Sequence, residues 1–416
     1  MGVVADAAYL VAAVVSAPLW MRKKRAGWSE RFGRLEPLPA PAPGRPRLLI
    51  HAVSVGEVNL IRALVDRLAP EADLVVATTT DTGTARAKEL YTGRAHLVRY
   101  PLDASWCVRR FLDAVRPDGV ALVELELWPN FARACRARGV PLAIVNGRLS
   151  DRSAGRYRAA RPLLGRDFRG LEFIAAQDEV YAGRFRGAGA RAERVRVVGS
   201  MKWDAAQTIE HVQGAEALGR EMGIDPDRPL IVAGSTAPEE HALLRDATPE
   251  GVQLLCAPRR PEWWDDAADA LGGCVRRSRR PAGSPGSPGS PSPTGRYLLD
   301  TIGELRKAYA LADVAIVGRS FGSLFGSDPM EPAALGKPVV IGPAVADFRT
   351  VVETMKHEDA ILQITPEELA PTLTRLFTDA NERRARGARA LACVRKHQGS
   401  TERHARLLLE MLGRSP

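Results

Sequence analysis

The sequence predicts an α/β protein with two domains, each built on a mostly parallel sheet that is covered by helices on both faces. Short apolar strands alternate with amphipathic helices along nearly the whole chain, which is the pattern of such sheets. The alternation comes in two series, one from Arg47 and one from Leu230. The length of 416 residues also exceeds what one hydrophobic core normally supports.

The first element is an apolar run from Ala7 to Met21 that is followed at once by Arg22-Lys23-Lys24-Arg25. It is shorter than the roughly 20 residues that a membrane-spanning helix needs, and Pro18 interrupts it. A cleaved signal peptide carries its positive charge before the apolar run, not after it. We therefore expect residues 1–36 to be a membrane-associated segment at the cytoplasmic face, spanning or only dipping into the bilayer. The alternative is a first helix that packs on the protein's own core.

The net charge of +10 is concentrated at the two ends of the chain. Residues 1–50 carry +5 and residues 381–416 carry +6, which leaves −1 for the other residues. This distribution argues against a nucleic-acid groove and favours basic patches that face an anionic membrane surface. The five cysteines form no Cys-x-x-Cys and the seven histidines no His-x-x-x-His, so we expect a reduced compartment and no metal site.

In the first series, polar residues follow three predicted strands. A strand that begins at Arg47 ends before Ser54-Val55-Gly56-Glu57, where a helix begins. A strand at 119–123 leads into Glu124 and Glu126, and a strand at 141–145 leads into Asn146 and Arg148. The carboxyl ends of strands line the ligand crevice in an open α/β sheet, so these residues are candidate site residues. A carboxylate at a helix N-terminus is also a common structural choice, and for Glu57 alone both interpretations stay open.

In the second series, the stretch Gly318 to Pro343 has the strongest pattern. Gly318, Gly322 and Gly326 follow a buried strand, and Asp328 and Pro329 are suited to begin a helix whose first turn contains Glu331. Backbone N–H groups and the helix dipole favour a phosphate there, with Glu331 on a ribose. A simple glycine turn is the alternative. The stretch has no P-loop ending and no strict Gly-x-Gly-x-x-Gly, so neither an ATPase nor a standard dinucleotide site is indicated.

The motifs, taken in order, resemble the bacterial 3-deoxy-D-manno-octulosonic acid (Kdo) transferases, which are inverting glycosyltransferases of the GT-B type with two Rossmann-like domains facing across a cleft. The first half carries the similar motifs His51-Ala-Val-Ser-Val-Gly-Glu57, Glu124-Leu-Glu-Leu-Trp-Pro-Asn130, Asn146-Gly-Arg-Leu-Ser150 and Gly199-Ser-Met-Lys-Trp-Asp204. The second half carries Gly234-Ser-Thr236, Pro258-Arg259, Asp300-Thr-Ile-Gly-Glu-Leu305 and Pro329-Met-Glu-Pro-Ala333. The likeness covers nearly the whole chain.

The resemblance implies an acceptor domain at 37–208 and a nucleotide-sugar domain at 209–392 that contains a flexible insert at 281–295. It also implies a C-terminal helix at 393–416 that could pack back on the first domain. Glu57 is the implied general base. The implied acceptor-side residues are Ser54, Gly56, Glu124, Glu126, Asn146 and Arg148. The implied donor-side residues are Lys202, Ser235, Thr236, Arg259, Gly303, Glu304, Ser320, Gly326, Ser327, Asp328 and Glu331.

The expected activity is transfer of a Kdo-type sugar acid from a CMP-sugar to a lipid A precursor, with no metal, no cofactor and no nucleic-acid partner. The chain departs from the family pattern on the donor side, where Ala237 and Arg260 replace expected histidines and Arg319 an expected glycine. A related transferase with another nucleotide sugar or a non-lipid acceptor therefore stays open, as does a non-catalytic nucleotide-sugar-binding relative. Nucleotide-sugar 2-epimerases share the fold, but the anchor-like N-terminal segment argues against them. The oligomeric state is not predicted.

Overall fold

The computed structural model describes residues 26–209, 211–279 and 292–414, which form two compact units. Unit 1 combines the described residues up to Ala205 with those from His397 onward, and unit 2 runs from Ala206 to Lys396. The predicted boundary after residue 208 lies close to this division. The predicted membrane segment up to residue 25, and residues 281–291 of the predicted insert, lie outside the described residues. Within the described ranges, no helix is both long enough and apolar enough to cross a membrane.

Unit 1 contains a sheet of seven parallel strands in the order β3-β2-β1-β4-β5-β6-β7. The strands are β1 (Arg47–His51), β2 (Asp73–Thr78), β3 (His96–Arg99), β4 (Gly119–Val123), β5 (Leu142–Gly147), β6 (Ile174–Ala176) and β7 (Val195–Val197). The helices are α1 (Trp28–Arg31), α2 (Val55–Leu60), α3 (Arg62–Leu68), α4 (Asp81–Tyr91), α5 (Ser105–Val115), α6 (Pro129–Ala137), α7 (Asp151–Ala159), α8 (Arg161–Arg169) and α9 (Glu179–Ala188).

Unit 2 contains a second parallel sheet, in the order β10-β11-β9-β8-β12-β13-β14. The strands are β8 (Leu230–Thr236), β9 (Gln253–Pro258), β10 (Val275–Arg276), β11 (Arg296–Leu298), β12 (Val314–Val317), β13 (Val339–Ile341) and β14 (Leu362–Gln363). The helices are α10 (Ala215–Met222), α11 (His241–Ala247), α12 (Trp264–Leu271), α13 (Leu305–Leu311), α14 (Met330–Ala333), α15 (Arg349–His357), α16 (Pro366–Thr378) and α17 (Ala380–His397). The predicted α/β class with two parallel sheets is confirmed.

Each sheet is buried on both faces, because successive side chains of a strand point to opposite sides. In β1, Leu49 joins the core on one face, whereas Leu48 and Ile50 join the core on the other. In β8, Ile231 and Val232 are divided between two cores in the same way. The single helix expected after β1 forms two helices, α2 and α3, and their apolar positions 58, 61, 64, 65 and 68 are all buried.

The chain crosses from one side of the sheet to the other between β1 and β4 in unit 1, and between β8 and β12 in unit 2. In open α/β sheets, ligands bind at the carboxyl ends of the two strands that flank such a switch point. In unit 1 these ends lead to Glu57 and Glu124. In unit 2 they lead to Ser235 and to residues 318–326, which we call the Gly318 loop. The topology therefore places the main predicted site segments at the edges where this fold binds ligands.

The last helix spans Ser400–Met411, and we call it the C-terminal helix. The prediction of one helix from residue 393 was wrong at its start, because α17 extends to His397 and Gly399 adopts a left-handed φ of 82° between the two helices. Ala405, Leu408 and Leu409 of the C-terminal helix are buried in a core of unit 1. Its first turn is held by Asp204, which accepts hydrogen bonds from the Gly399 and Thr401 N–H groups at 2.6 and 2.5 Å.

Candidate active site

Glu57 lies in the first turn of α2, just beyond the carboxyl end of β1. Its carboxylate accepts hydrogen bonds from the Val53 N–H at 2.7 Å and from the Ser54 hydroxyl at 3.2 Å. Ser54 is also the N-cap of α2 and accepts the Glu57 N–H at 3.5 Å. These reciprocal contacts fix the Glu57 carboxylate beside the first residues of α2 and restrict the rotamers of the side chain.

The environment of Glu57 raises its pKa to about 7. Burial is the largest cause, because it disfavours the charged form, and the negative charges of Glu124 and Glu126 add to it. Hydrogen bonds from Val53 and Ser54 act in the opposite direction by stabilising the carboxylate. A carboxylate with a pKa near neutral pH can accept a proton efficiently while about half of its population is ionised at that pH, which suits a general base.

Glu124 and Glu126 follow β4, the neighbour of β1 in the sheet. Glu124 has a left-handed φ of 59°, an uncommon conformation for a residue with a side chain, and its N–H donates to the Val145 carbonyl at 3.0 Å. Glu126 accepts a hydrogen bond from the Trp128 indole at 3.1 Å, and burial, followed by the charge of Glu124, raises its pKa. The predicted acidic residues therefore lie at one edge of unit 1 and interact electrostatically with Glu57.

Asn146 also has a left-handed φ, of 52°, but its side chain is fully buried. Its N–H donates to His404 at 2.9 Å, its amide oxygen accepts the Met201 N–H at 3.0 Å, and its carbonyl accepts from Gln177 at 3.0 Å. Asn146 therefore joins β5 to the C-terminal helix, and a direct role in acceptor binding does not fit its burial. Arg148, two residues later, is exposed, and Gly56 lies on the exposed side of α2.

In unit 2, Ser235 and Thr236 lie at the carboxyl end of β8. Ser235 has a left-handed φ of 57° and is partly exposed, as a ligand contact requires. Thr236 is buried, and its hydroxyl pairs with His241 at 2.9 Å. Arg259 follows the adjacent strand β9, where its N–H donates to the Thr236 carbonyl at 3.0 Å and its side chain is exposed. Ser235 and Arg259 are thus accessible at this edge, whereas the Thr236 side chain is not.

The backbone N–H groups of the Gly318 loop already hold an anion that belongs to the protein. The fully buried carboxylate of Glu240 accepts the N–H groups of Arg319, Ser320 and Phe321 at 2.8, 2.8 and 3.0 Å, and that of Ala237 at 2.8 Å. The prediction that Ser320 contacts the donor was wrong, because its side chain is fully buried. The Ser320 hydroxyl donates to the Val317 carbonyl at 2.6 Å and accepts the Gly342 N–H at 2.8 Å.

The three regularly spaced glycines are explained by close packing and by one positive φ. A Cβ on Gly318 would lie 2.6 Å from the Thr236 Cα, so the loop can approach β8 only without a side chain there. A Cβ on Gly322 would overlap the Glu239 side chain. Gly326 has a φ of 83°, which favours glycine. The glycines shape the loop, and a phosphate contact with the N–H groups of residues 319–321 does not fit their bonds to Glu240.

Beyond this loop, Asp328 accepts the Met330 N–H at 2.8 Å, as predicted for a helix start, but α14 has only one turn. Glu331 is partly exposed, and burial raises its pKa while Arg306 opposes the increase. Ser327 is almost completely buried, and its hydroxyl has no hydrogen-bond partner within the described residues. Asp328 and Glu331, which are partly exposed, are therefore the residues of the predicted phosphate and ribose site that can still contact a ligand, whereas Gly326 is buried.

Two other predicted donor residues have different surroundings. Glu304 is held by Arg277 at 3.1 Å and by Thr301 at 2.7 Å, so it belongs to a network of ion pairs and hydrogen bonds. Although burial opposes the change, these contacts lower its pKa. Gly303 next to it is exposed, with a φ of 90°. Lys202 lies in a short 3₁₀ turn of unit 1 (Met201–Ala205), whereas the other predicted donor residues belong to unit 2.

Sequence reasoning missed Glu240, although the sequence contains a signal for it. Glu240 follows β8 by four residues and precedes α11, a position that suits a carboxylate accepting backbone N–H groups. Three of its four partners come from residues 79 to 81 positions later, and nothing local in the sequence indicates that distance.

Known proteins that are similar to this chain identify its family. Residues 26–205 match the family described as 3-deoxy-D-manno-octulosonic-acid transferase (kdotransferase). The chain is 34% identical to the 3-deoxy-D-manno-octulosonic acid transferase of Bordetella pertussis, an alignment that covers 95% of each protein. It is 29% identical to the transferase of the same name from Haemophilus influenzae, over 93% of this chain and 92% of the relative.

Among solved structures, Anabaena HepE in complex with UDP aligns with a TM-score of 0.58 at 16% identity, over 88% of this chain and 99% of HepE. This likeness confirms the fold class. The identity and coverage shared with the Bordetella protein go further and establish the family. The chain therefore belongs to the family of 3-deoxy-D-manno-octulosonic acid transferases.

Proposed function

We propose that the protein transfers a Kdo-type sugar acid from a CMP-sugar to a hydroxyl group of a lipid A precursor, with inversion at the anomeric carbon. The observation that carries this proposal is Glu57, a preorganised carboxylate at the switch point of unit 1 whose pKa is raised to about 7. The names of the similar proteins supply the sugar class.

In this reaction, the Glu57 carboxylate removes the proton from the acceptor hydroxyl while the hydroxyl oxygen attacks the anomeric carbon. The bond from that carbon to the CMP phosphate breaks, and CMP leaves with the electron pair. The Val53 N–H and Ser54 hydroxyl keep the carboxylate oriented. Glu124 and Glu126 raise its proton affinity, and we propose that they also orient the acceptor sugar.

On the donor side, we propose that Ser235, Arg259, Asp328 and Glu331 hold the nucleotide sugar. Arg259 supplies a cation for the phosphate, and Glu331 supplies a carboxylate for the ribose hydroxyls. Fixed cations and backbone dipoles can stabilise a leaving phosphate, and the proposal needs no metal ion or cofactor.

A transferase that uses another nucleotide sugar is the second candidate. Ala237 favours it, because the resemblance leads us to expect a histidine at this buried position beside β8. An alanine there offers no side-chain hydrogen bond to a donor.

The experiment is to incubate the full chain with CMP-Kdo and a lipid A precursor and to measure the product mass. We expect the acceptor to gain the mass of one or more Kdo residues. Parallel reactions with other CMP- and UDP-sugars test the second candidate. Consumption of CMP-Kdo without a glycosylated product, or of another sugar in preference to it, contradicts the proposed function.

We also propose that the protein acts at the cytoplasmic face of the membrane, supported by the apolar residues 7–21 and the four basic residues that follow them. Deleting residues 1–25 should lower the fraction of protein that floats with uncharged phosphatidylcholine vesicles, because the apolar contact is lost. An unchanged fraction contradicts this assignment.

A further inference from the structure

An arginine-rich segment of unit 1 begins beside the candidate active site, at Arg148. The segment from 148 to 169, which contains α7 and α8, holds seven arginines and two aspartates, for a net charge of +5. All seven arginine side chains are exposed. We call them the arginine surface: Arg148, Arg152, Arg156, Arg158, Arg161, Arg166 and Arg169.

No carboxylate in the described part of the chain pairs with the arginine surface. Asp151 is bound by Arg184 at 2.5 Å. Asp167 is buried and bound by Arg133 at 3.0 Å. Both aspartates of the segment are therefore engaged by arginines outside it. Exposed arginines elsewhere in unit 1, such as Arg94 and Arg136, do form ion pairs.

The helices that carry these arginines are anchored in the protein. Ala154 and Phe168 are buried in a core of unit 1, and the Tyr157 ring contacts Phe168 edge-on with centroids 5.2 Å apart. Leu163, between Arg161 and Arg166, has a side chain that is 72% exposed. An ordered surface that combines unpaired arginines with a protruding apolar side chain has the composition of a membrane-contacting helix.

We propose that the arginine surface binds the anionic phosphate headgroups of a lipid bilayer. The arginine fork matches phosphate oxygens in geometry and charge. Arg148, the first residue of the arginine surface, lies two residues after Asn146. It follows β5, and Glu124 follows the neighbouring strand β4, so the arginine surface adjoins the acceptor side of the site. The choice of a lipid partner rests on the proposed function, whereas the binding itself is measurable without turnover.

The test compares two triple variants of the full chain. In the first variant, which we call the surface variant, three residues are changed to alanine: Arg152, Arg156 and Arg166. This change removes three charges from the arginine surface. In the control variant, three exposed arginines of unit 2 are changed to alanine: Arg220, Arg349 and Arg395. These arginines also lack ion pairs within the described residues. Partition is measured by flotation with phosphatidylcholine vesicles that contain or lack phosphatidylglycerol, and circular dichroism checks that both variants fold.

We expect the surface variant to bind phosphatidylglycerol vesicles about 100-fold more weakly than the unmodified chain at low salt, with the difference shrinking as salt rises. The control should change binding by no more than about twofold, since its charges lie in another unit. Equal losses in both variants overturn the proposal. Preferential binding to a short RNA or DNA duplex over the vesicles overturns it as well. If the surface variant binds vesicles as strongly as the unmodified chain, the proposed lipid binding by the arginine surface is contradicted. If the same variant also glycosylates a detergent-dispersed acceptor, the proposed transferase activity is unaffected by that result.

Discussion

At the scale of single residues, opposing contacts determine the proton affinity of Glu57. Burial and two neighbouring carboxylates raise its pKa, whereas one backbone N–H and one hydroxyl group lower it. The balance is a pKa of about 7 rather than the 4.5 of an ordinary glutamate. Because a general base must be ionised, turnover should rise with pH through this value.

The neighbouring carboxylates and the hydrogen bonds to Glu57 should have opposite effects on the pH dependence of kcat/KM. Glu126→Gln removes a negative charge, which should lower the pKa of Glu57 and move the midpoint of kcat/KM to lower pH. Ser54→Ala removes a hydrogen bond to the carboxylate and should move the midpoint to higher pH. Measuring kcat/KM against pH for both variants and the unmodified chain checks this. Shifts in the same direction contradict the account.

His404 provides a residue-scale prediction about stability. Burial lowers its pKa from 6.5 to about 4, so it is neutral in the folded chain, where it accepts the Asn146 N–H. The unfolded chain binds a proton near pH 6.5 and the folded chain does not, so this contribution is complete above that pH and is lost as the pH falls toward 4. The loss amounts to about 3 kcal/mol of unfolding free energy at most.

His404→Gln removes this titration. We expect the unfolding free energy of the variant, measured with urea, to fall less steeply between pH 7 and pH 4 than that of the unmodified chain. Parallel pH dependences exclude His404 as the titrating group.

The sequence alone predicted which residues lie at the strand ends but not where their side chains point. Glu57, Ser235 and Arg259 have accessible positions that fit their predicted roles. Ser320 and Asn146 occupy equivalent positions along the chain but are buried. A polar side chain after a strand can bond to a ligand or to the neighbouring backbone, and only the packing of distant segments distinguishes the two.

At the scale of elements, the Gly318 loop is held by Glu240, a residue that directly precedes α11 and lies far earlier in the chain. One Glu240 carboxylate binds four backbone N–H groups, three of them in the loop. Such a bonded carboxylate holds the loop in one conformation beside β8.

Glu240→Gln should therefore weaken the loop. The new amide places N–H donors against backbone N–H donors, which should cost about 2–4 kcal/mol. Hydrogen exchange of the Arg319, Ser320 and Phe321 amides measures this directly, and we expect faster exchange. Glu239→Gln, one residue earlier and exposed, is the matched control. Equal exchange in the two variants contradicts the assignment.

The strands predicted from Arg47, at 119–123 and at 141–145 lie almost at their observed residues, whereas β3, β10, β11 and β14 were not predicted. β10 and β14 have two residues each, and β3 contains His96 and Arg99. These three lie at sheet edges, where one side needs no strand partner and the apolar pattern is short. β11 follows the proline- and serine-rich insert directly, and its three residues are too few to show a period of their own.

At the scale of the whole molecule, both ends of the described chain contribute to unit 1, since the C-terminal helix completes one of its cores. The net charge of a long segment can hide a short basic region within it. Residues 51–380 sum to −1, yet they include the segment 148–169, whose net charge is +5. The sequence predicted the basic ends, and only the burial of individual side chains indicated the third basic region.

The return of the chain to unit 1 predicts a local effect of a distant mutation. Leu408→Ala should lower the stability of unit 1 by about 2–5 kcal/mol, because a fully buried side chain is removed. Leu373→Ala is the control, since Leu373 is equally buried in unit 2. Hydrogen exchange should show faster opening of the β1 amides with the first change and of the β8 amides with the second. Loss of protection in the opposite units contradicts the division of the chain.

The central claim is that Glu57 removes the acceptor proton, and the most direct test is Glu57→Gln. The variant keeps the size and hydrogen-bonding capacity of the side chain but cannot act as a base at neutral pH. With CMP-Kdo and a lipid A precursor, we expect kcat to fall by about 10²–10⁴-fold, while the dissociation constant of the CMP-sugar, measured by calorimetry, stays unchanged. A kcat close to that of the unmodified chain contradicts the claim.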